Sequence, residues 1–240
     1  MNMQAATSVE VLHEQTGIPK STLVRFLNTL AAAGYIERIS RSAGYGLTDR
    51  VLRLSAGYRD VDLVIHMARN ILLEFTNHYK WPLLVAIHDR DAMVLRYTTN
   101  WHSPFSDSRG DPTNYRLPVL GSAVGLAHLA FCPKEEREAI LTFLRKSPDP
   151  MNQVARDRDA TSRLLMEMKK KGFASRPAHP KDSFAAIGLP IRNGVNVAAS
   201  LAFRYLPSVM SEAKVARTYL PPLREAVEKI ENALTAGPVK

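Results

Sequence analysis

The chain has 240 residues, 45% of them hydrophobic, 23% charged and 8% aromatic, with a formal net charge of +9; these values fit a small domain joined to a medium one. No stretch comes near the roughly 18 uninterrupted apolar residues of a membrane helix, and the polar start MNMQAATSVE lacks a signal-peptide layout, so a cytoplasmic location without a membrane partner is expected. HExxH, GxSxG, Walker-type and dinucleotide fingerprints are absent. The seven histidines lack metal-ligand spacing and the single cysteine, Cys132, reads as a buried hydrophobe, so the sequence predicts no catalytic residue, no metal and no cofactor.

The positive charge is unevenly placed. Residues 15–59 hold seven basic side chains (Lys20, Arg25, Arg38, Arg41, Arg50, Arg53 and Arg59) against Glu37 and Asp49, a surplus of +5. Within this segment Ser8 can cap a short helix VEVLHEQ that Gly17 ends. Pro19 suits the first turn of a second helix, where its missing amide hydrogen is harmless. Along that helix Leu23, Phe26, Leu27 and Leu30 fall at i, i+3, i+4 and i+7, one apolar stripe. The opposite face carries Ser21, Thr22, Arg25 and Asn28 and no carboxylate. Short hydroxyls and an amide can approach bases closely, an arginine can take guanine bidentately, and a helix N-terminus favours a phosphate. YIERIS and YGLT around RSAG then read as two short strands with a basic turn, a wing. Helix, turn, helix and wing in this order predict a winged helix-turn-helix with Lys20 to Leu30 as recognition helix. Lys20, Arg38 and Arg41 would hold phosphates, while Ser21, Thr22, Arg25 and Asn28 would lie near base edges.

Beyond Thr48 the pattern is α+β. VLRLSAG predicts a linker helix and VDLVIHMARNILLEFTNHY a longer one; LLVAIHD and AMVLRYTT predict a hairpin around Asp89-Arg90-Asp91. An irregular stretch, 100–116, is followed by helices at SAVGLAHLAF, KEEREAILTFLR and RDATSRLLMEMKKKG. Strands AAIGLPI and VAASLAFRY flank the hairpin signal Asn193-Gly194, and one final helix runs from about Ser211 to Ala236.

The stretch TGIPKSTLVRFLNTLAAAGY resembles the recognition-helix pattern of the IclR family of bacterial transcription regulators, and the likeness continues through GYGLTDRVLRLSAGY, YRLPVLGSAVGLAHLAF and IGLPIRNGVNVAASLAF. The segments WPLLVAIHDRDAMVLRYTT, RLPVL and LAFCP are most similar to the subgroup that regulates aromatic-acid breakdown, of the hydroxyphenylpropionate-sensing type. The resemblance implies an α+β protein with a winged domain at 1–48, a linker helix at 49–62 and a GAF-like effector-binding domain at 63–240. It implies a homodimer or tetramer on a pseudo-palindromic site in double-stranded DNA, a small aromatic organic acid as effector, and RNA polymerase as a further partner; activation is the expected sign. Phe105, Arg176, His179 and Phe184, on two loops, and Leu120, Gly121, Ser122, Ala123, Val124, Leu201 and Phe203 are the implied effector-binding residues. In this reading Leu201 and Phe203 make the pocket greasy, favouring an aromatic over a small keto acid. Two departures stand out: Met1 to Thr7 is too short for the helix that opens the family's winged domain, so that Leu12, Leu27 and Leu30 would be expected to lie partly open, and Leu126 replaces a common lysine. The alternatives are a GAF-like enzyme and a ligand sensor that does not bind DNA.

Overall fold

Ser8 opens the first helix, α1 (Val9–Thr16): its Oγ accepts from the Val11 amide at 3.4 Å, and Gly17, at φ 69°, ends the helix in the left-handed conformation. This is the first element of a computed structural model that describes residues 6–40, 43–51, 59–106, 113–179 and 182–236. The chain divides into two units, Met1–Asp60 and Val61–Lys240.

In the first unit α2 (Lys20–Ala32) follows directly, with Pro19 as its N-cap residue. Strands β1 (Ile36–Ser40) and β2 (Gly44–Leu47) pair antiparallel, with a register shift between Arg38 and Ser40. Leu27, Ile36 and Tyr45 form the buried centre, with Val9, Leu12 and Ala31 packed around it. The backbone of Thr7 closes the side, exchanging amide–carbonyl bonds of 2.9 and 3.0 Å with Tyr45. Gly44 permits that approach: at φ 86° it avoids strain, and a Cβ there would lie 2.6 Å from the Ser8 Cα. The predicted stripe on α2 is only half realised. Leu23 and Leu27 are buried, whereas Phe26 is 55% and Leu30 41% exposed, because α1 and β1 cover only the side of α2 that carries Leu23 and Leu27. Of the predicted linker helix, Asp49–Val51 form one 3-10 turn and residues 52–58 lie outside the described residues.

The second unit is built on a six-stranded antiparallel sheet of order β5-β4-β3-β8-β7-β6. Its elements are α3 (Arg59–Tyr79), β3 (Leu83–Asp89), β4 (Ala92–Thr98), β5 (Arg116–Pro118), α4 (Ala123–Phe131), α5 (Lys134–Leu144), α6 (Arg158–Lys171), β6 (Ala174–Arg176), β7 (Ala185–Asn193), β8 (Asn196–Tyr205), α7 (Glu212–Thr218) and α8 (Leu220–Ala236). The expected final helix is thus two, broken at Tyr219, because Pro221 and Pro222 supply no amide hydrogen to continue the first one. The β7–β8 hairpin pairs Asn193 with Asn196, so its turn residues are Gly194-Val195, not Asn193-Gly194; Gly194, at φ 62°, takes the first central position. The short edge strands β5 and β6 and the 3-10 segment Pro150–Arg156 had no periodic signal to announce them.

Strand alternation sends two sets of side chains to opposite faces. Leu83, Val85, Ile87, Ile187, Leu189, Leu201 and Phe203 pack against α3 and α8, through residues such as Leu72, Phe75, Leu223 and Ile230. The other face is paved with small side chains, Ala86, Ala186 and Ala202, on which the first turn of α4 lies through Ala123 and Val124. Gly188 completes that paving: a Cβ there would lie 2.8 Å from the Ala123 carbonyl carbon, and the carbonyl oxygen is closer still. The rest of α4 is buried by α5 and α6.

Candidate functional site

Two regions concentrate the chemistry. On α2, Lys20, Ser21, Arg25 and Asn28 are exposed and Thr22 is half-buried. The Arg25 guanidinium has no hydrogen-bond or ionic partner among the described residues. No side chain caps the N-terminus of α2 and its first turn holds no acid, so the first amides and the positive end of the helix dipole are open to an anion. One carboxylate does approach: Glu10 of α1 lies 3.9 Å from the Lys20 ammonium, with both side chains more than half exposed, a pairing too solvated to hold the lysine back. Arg38 is exposed on β1, while Arg41 lies outside the described residues.

In the second unit a cleft of about 1210 Å³ opens over the small-residue face of the sheet. The first turn of α4 forms one wall. Ser122 is its N-cap, accepting from the Gly125 amide at 3.2 Å, and Gly121, Ser122, Ala123 and Val124 all line the cleft. Phe105, stacked on Trp81 with centroids 4.4 Å apart, forms another, and Phe184 a third. The charged corner is a triad. Arg176 Nη1 donates to Asp182 Oδ2 at 3.2 Å and Arg204 Nη2 to Asp182 Oδ1 at 2.9 Å. The Arg204 guanidinium also lies 4.3 Å from the Phe184 ring centroid, a cation–π contact. Two guanidinium groups share one carboxylate, so the corner keeps one unit of positive charge while its arginines are only 18% and 19% exposed. On the neutral side Asn100 lines the cleft, and its Oδ1 is buried with no hydrogen-bond partner.

Eight of the eleven residues expected in this cavity line it: Phe105, Gly121, Ser122, Ala123, Val124, Arg176, His179 and Phe184. Leu120 is turned aside, its amide bonded to Asn152 Oδ1 at 3.1 Å. Leu201 and Phe203 are corrected. They belong to the core against α3 and α8, and their neighbours Ala202 and Arg204 face the cleft instead, since choosing the wrong parity on a strand inverts every side chain. The sequence reading missed Arg204 through this parity error and missed Asn100 and Asp182 because their sequence neighbourhoods carry no motif.

Cys132 is buried, and burial together with the nearby Glu136 carboxylate pushes its thiol up to about 11, so it holds its proton and is no nucleophile. The histidines, scattered along the sequence, are not all apart in the fold. His88 of β3 and His128 of α4 stack with centroids 5.0 Å apart, and His128 Nε2 lies 2.9 Å from Glu136 Oε1 of α5. No helix among the described residues is long and apolar enough to cross a membrane.

Residues 2–40 match the model of the IclR helix-turn-helix domain. The chain is 25% identical over 222 residues to the HTH-type transcriptional regulator KdgR of Escherichia coli (strain K12), spanning 91% of this chain and 82% of that protein. Among solved structures it superposes on an IclR homolog from Microbacterium hydrocarbonoxydans in complex with 4-hydroxybenzoate, with TM-score 0.78, 23% identity and coverage of 97% and 93% of the two chains. It also superposes on an IclR family transcriptional regulator from Brucella abortus, with TM-score 0.70, 22% identity and coverage of 99% and 88%. The proteins it resembles are named as transcriptional regulators, not enzymes. Residues 2–40 thus match an IclR-type helix-turn-helix domain, and the chain shares the fold of solved IclR regulators along nearly its whole length.

Proposed function

We propose that the chain is an operator-binding regulator whose DNA affinity, or power to activate, is set by an aromatic carboxylic acid held in the cleft of the second unit. The observation that carries this reading is the Arg176–Asp182–Arg204 triad: a net positive charge is kept at one corner of a cavity walled in part by Phe105, Phe184 and the small-residue face of the sheet. A ligand carboxylate neutralises that charge through charge-assisted hydrogen bonds, worth about 1.5–3 kcal/mol each. Its ring lies along Phe105 and Phe184, and the N-terminal turn of α4 adds dipole and amide donors. Asn100 Oδ1, an unpartnered buried acceptor, suits a ring hydroxyl. A solved neighbour of the same fold holds 4-hydroxybenzoate, which supports the aromatic class.

In this reading residues 1–48 form the DNA-reading domain, 49–62 the linker and 63–240 the sensor. Lys20, Arg38 and Arg41 hold phosphates, and Ser21, Thr22, Arg25 and Asn28 reach base edges in the major groove. Two or four copies bind a pseudo-palindromic site, with RNA polymerase as the downstream partner. Control requires the acid to bind the DNA-competent and incompetent arrangements with different affinity.

The test is a thermal-shift screen of benzoate, 4-hydroxybenzoate, phenylpropanoid acids, pyruvate and glyoxylate, followed by gel retardation with and without the hit. Dose-dependent stabilisation by an aromatic acid, lost by about tenfold or more in Arg204→Met, is expected. Stabilisation by none of the aromatic acids, or an unaltered dose response in Arg204→Met, would remove the assignment of the cleft.

A further inference from the structure

Outside both regions, β3, α4 and α5 bring two imidazoles and a carboxylate together: His88, His128 and Glu136 each present a ligand atom, all within 4.8 Å of one another. None of the three lines the effector cleft. His88 Nε2 lies 2.8 Å from the Arg90 carbonyl oxygen. A carbonyl only accepts, so this nitrogen carries the proton and Nδ1 keeps its lone pair. Such a hydrogen bond on the far nitrogen is the usual support of a metal-bound histidine. His128 is 2% exposed, its Nε2 faces Glu136, and its Nδ1 is buried without a partner. Because no second bond locks its tautomer, the ring can move its proton to Nδ1 and leave Nε2 as a donor. Burial holds both histidines below the ordinary imidazole range, and for His128 the neighbouring His88 adds to that depression.

We infer that His88, His128 and Glu136 form a binding site for a borderline divalent cation of the zinc class. Two imidazoles and one carboxylate with a fourth position left to water is a donor set that zinc accepts, whereas magnesium and calcium prefer oxygen. The His128–Glu136 separation of 2.9 Å needs to open to about 3.3 Å for tetrahedral bonds of about 2.0–2.1 Å. Glu136, 36% exposed at its side chain, has room to swing. Solvent reaches the site on that side and past half-buried His88, so an ion has a way in.

The test uses the full chain stripped with a chelator. It is titrated with Co(II) and followed by visible absorption, then with Zn(II) in competition with a chromophoric chelator. One equivalent should bind, with the intense d–d bands of a four- or five-coordinate site. His88→Ala and Glu136→Gln should each weaken Zn(II) binding at least tenfold and abolish those bands; both sit at the rim, so their metal-free melting temperatures should stay near that of the wild type, separating ligand loss from unfolding. No saturable binding, or Zn(II) affinity unchanged in either variant, would overturn the site.

Discussion

The contact between β7 and α4 makes Gly188→Ala a test of how the sheet positions the cleft. A Cβ at position 188 lies 2.8 Å from the Ala123 carbonyl carbon and 3.2 Å from the Ala127 Cβ, with the Ala123 oxygen closer still. Both partners are rigid: one is backbone in the first turn of a buried helix and the other a methyl in its middle. Restoring ordinary carbon–oxygen contact therefore requires α4 to move off the sheet by about 1 Å, since a close-packed interior has no slack to absorb it. Overpacking of this kind costs about 1–3 kcal/mol, and a clash with backbone belongs in the upper half of that range. For a unit of this size about 2–3 kcal/mol lowers the melting temperature by about 4–12 °C. The same displacement carries Ser122, Ala123 and Val124, which line the cleft, so ligand stabilisation should fall as well. Differential scanning fluorimetry with and without 4-hydroxybenzoate measures both effects. A melting temperature within 1 °C of wild type would refute the close contact and with it the placement of α4 as the cleft wall.

Four further outcomes follow from the same geometry. Arg25→Ala should weaken operator binding by about 1–3 kcal/mol and relax its sequence preference, whereas Lys20→Ala should weaken binding to all duplexes and flatten the salt dependence in gel retardation. Leu27→Ala, in the small core with Ile36 and Tyr45, should cost about 2–5 kcal/mol and abolish operator binding while leaving the effector thermal shift intact. Asn100→Leu should reverse any preference for 4-hydroxybenzoate over benzoate in that shift, since the polar acceptor is replaced by an apolar group of similar size. His88 and His128 are depressed in the folded state by burial, so between their folded values and the unfolded value near 6.5 the unfolded chain binds more protons. Stability should therefore be greatest above about pH 6.5 and fall as pH drops below it; His88→Ala should flatten chemical-denaturation midpoints across pH 5.5–7.

The winged unit was legible because its signals are local. Ser8, Gly17 and Pro19 punctuate the helices, and the wing strands are read from a few consecutive residues. What sequence could not settle there was how far the stripe is covered: Phe26 and Leu30 have the right spacing, but burial depends on what lies opposite. In the second unit the same limit acts on strands. Along most of their length β7 and β8 are apolar on both faces, so alternation alone does not say which parity faces the cleft, and the sequence reading puts Leu201 and Phe203 on the wrong side. Spacing also fails for clusters assembled in three dimensions. His88, His128 and Glu136 are 40 and 8 positions apart, and only the antiparallel sheet with α4 laid across it joins them.

The parity of β8 has an evolutionary consequence. Odd positions such as Leu201 and Phe203 anchor the protein's interior, while even positions such as Ala202 and Arg204 face the cleft. The lining of the cleft can change at the even sites one substitution at a time without loosening the scaffold. An insertion or deletion within that strand is a different matter, since it would drag the arginine inward, push phenylalanine out and lose the core and the cleft together.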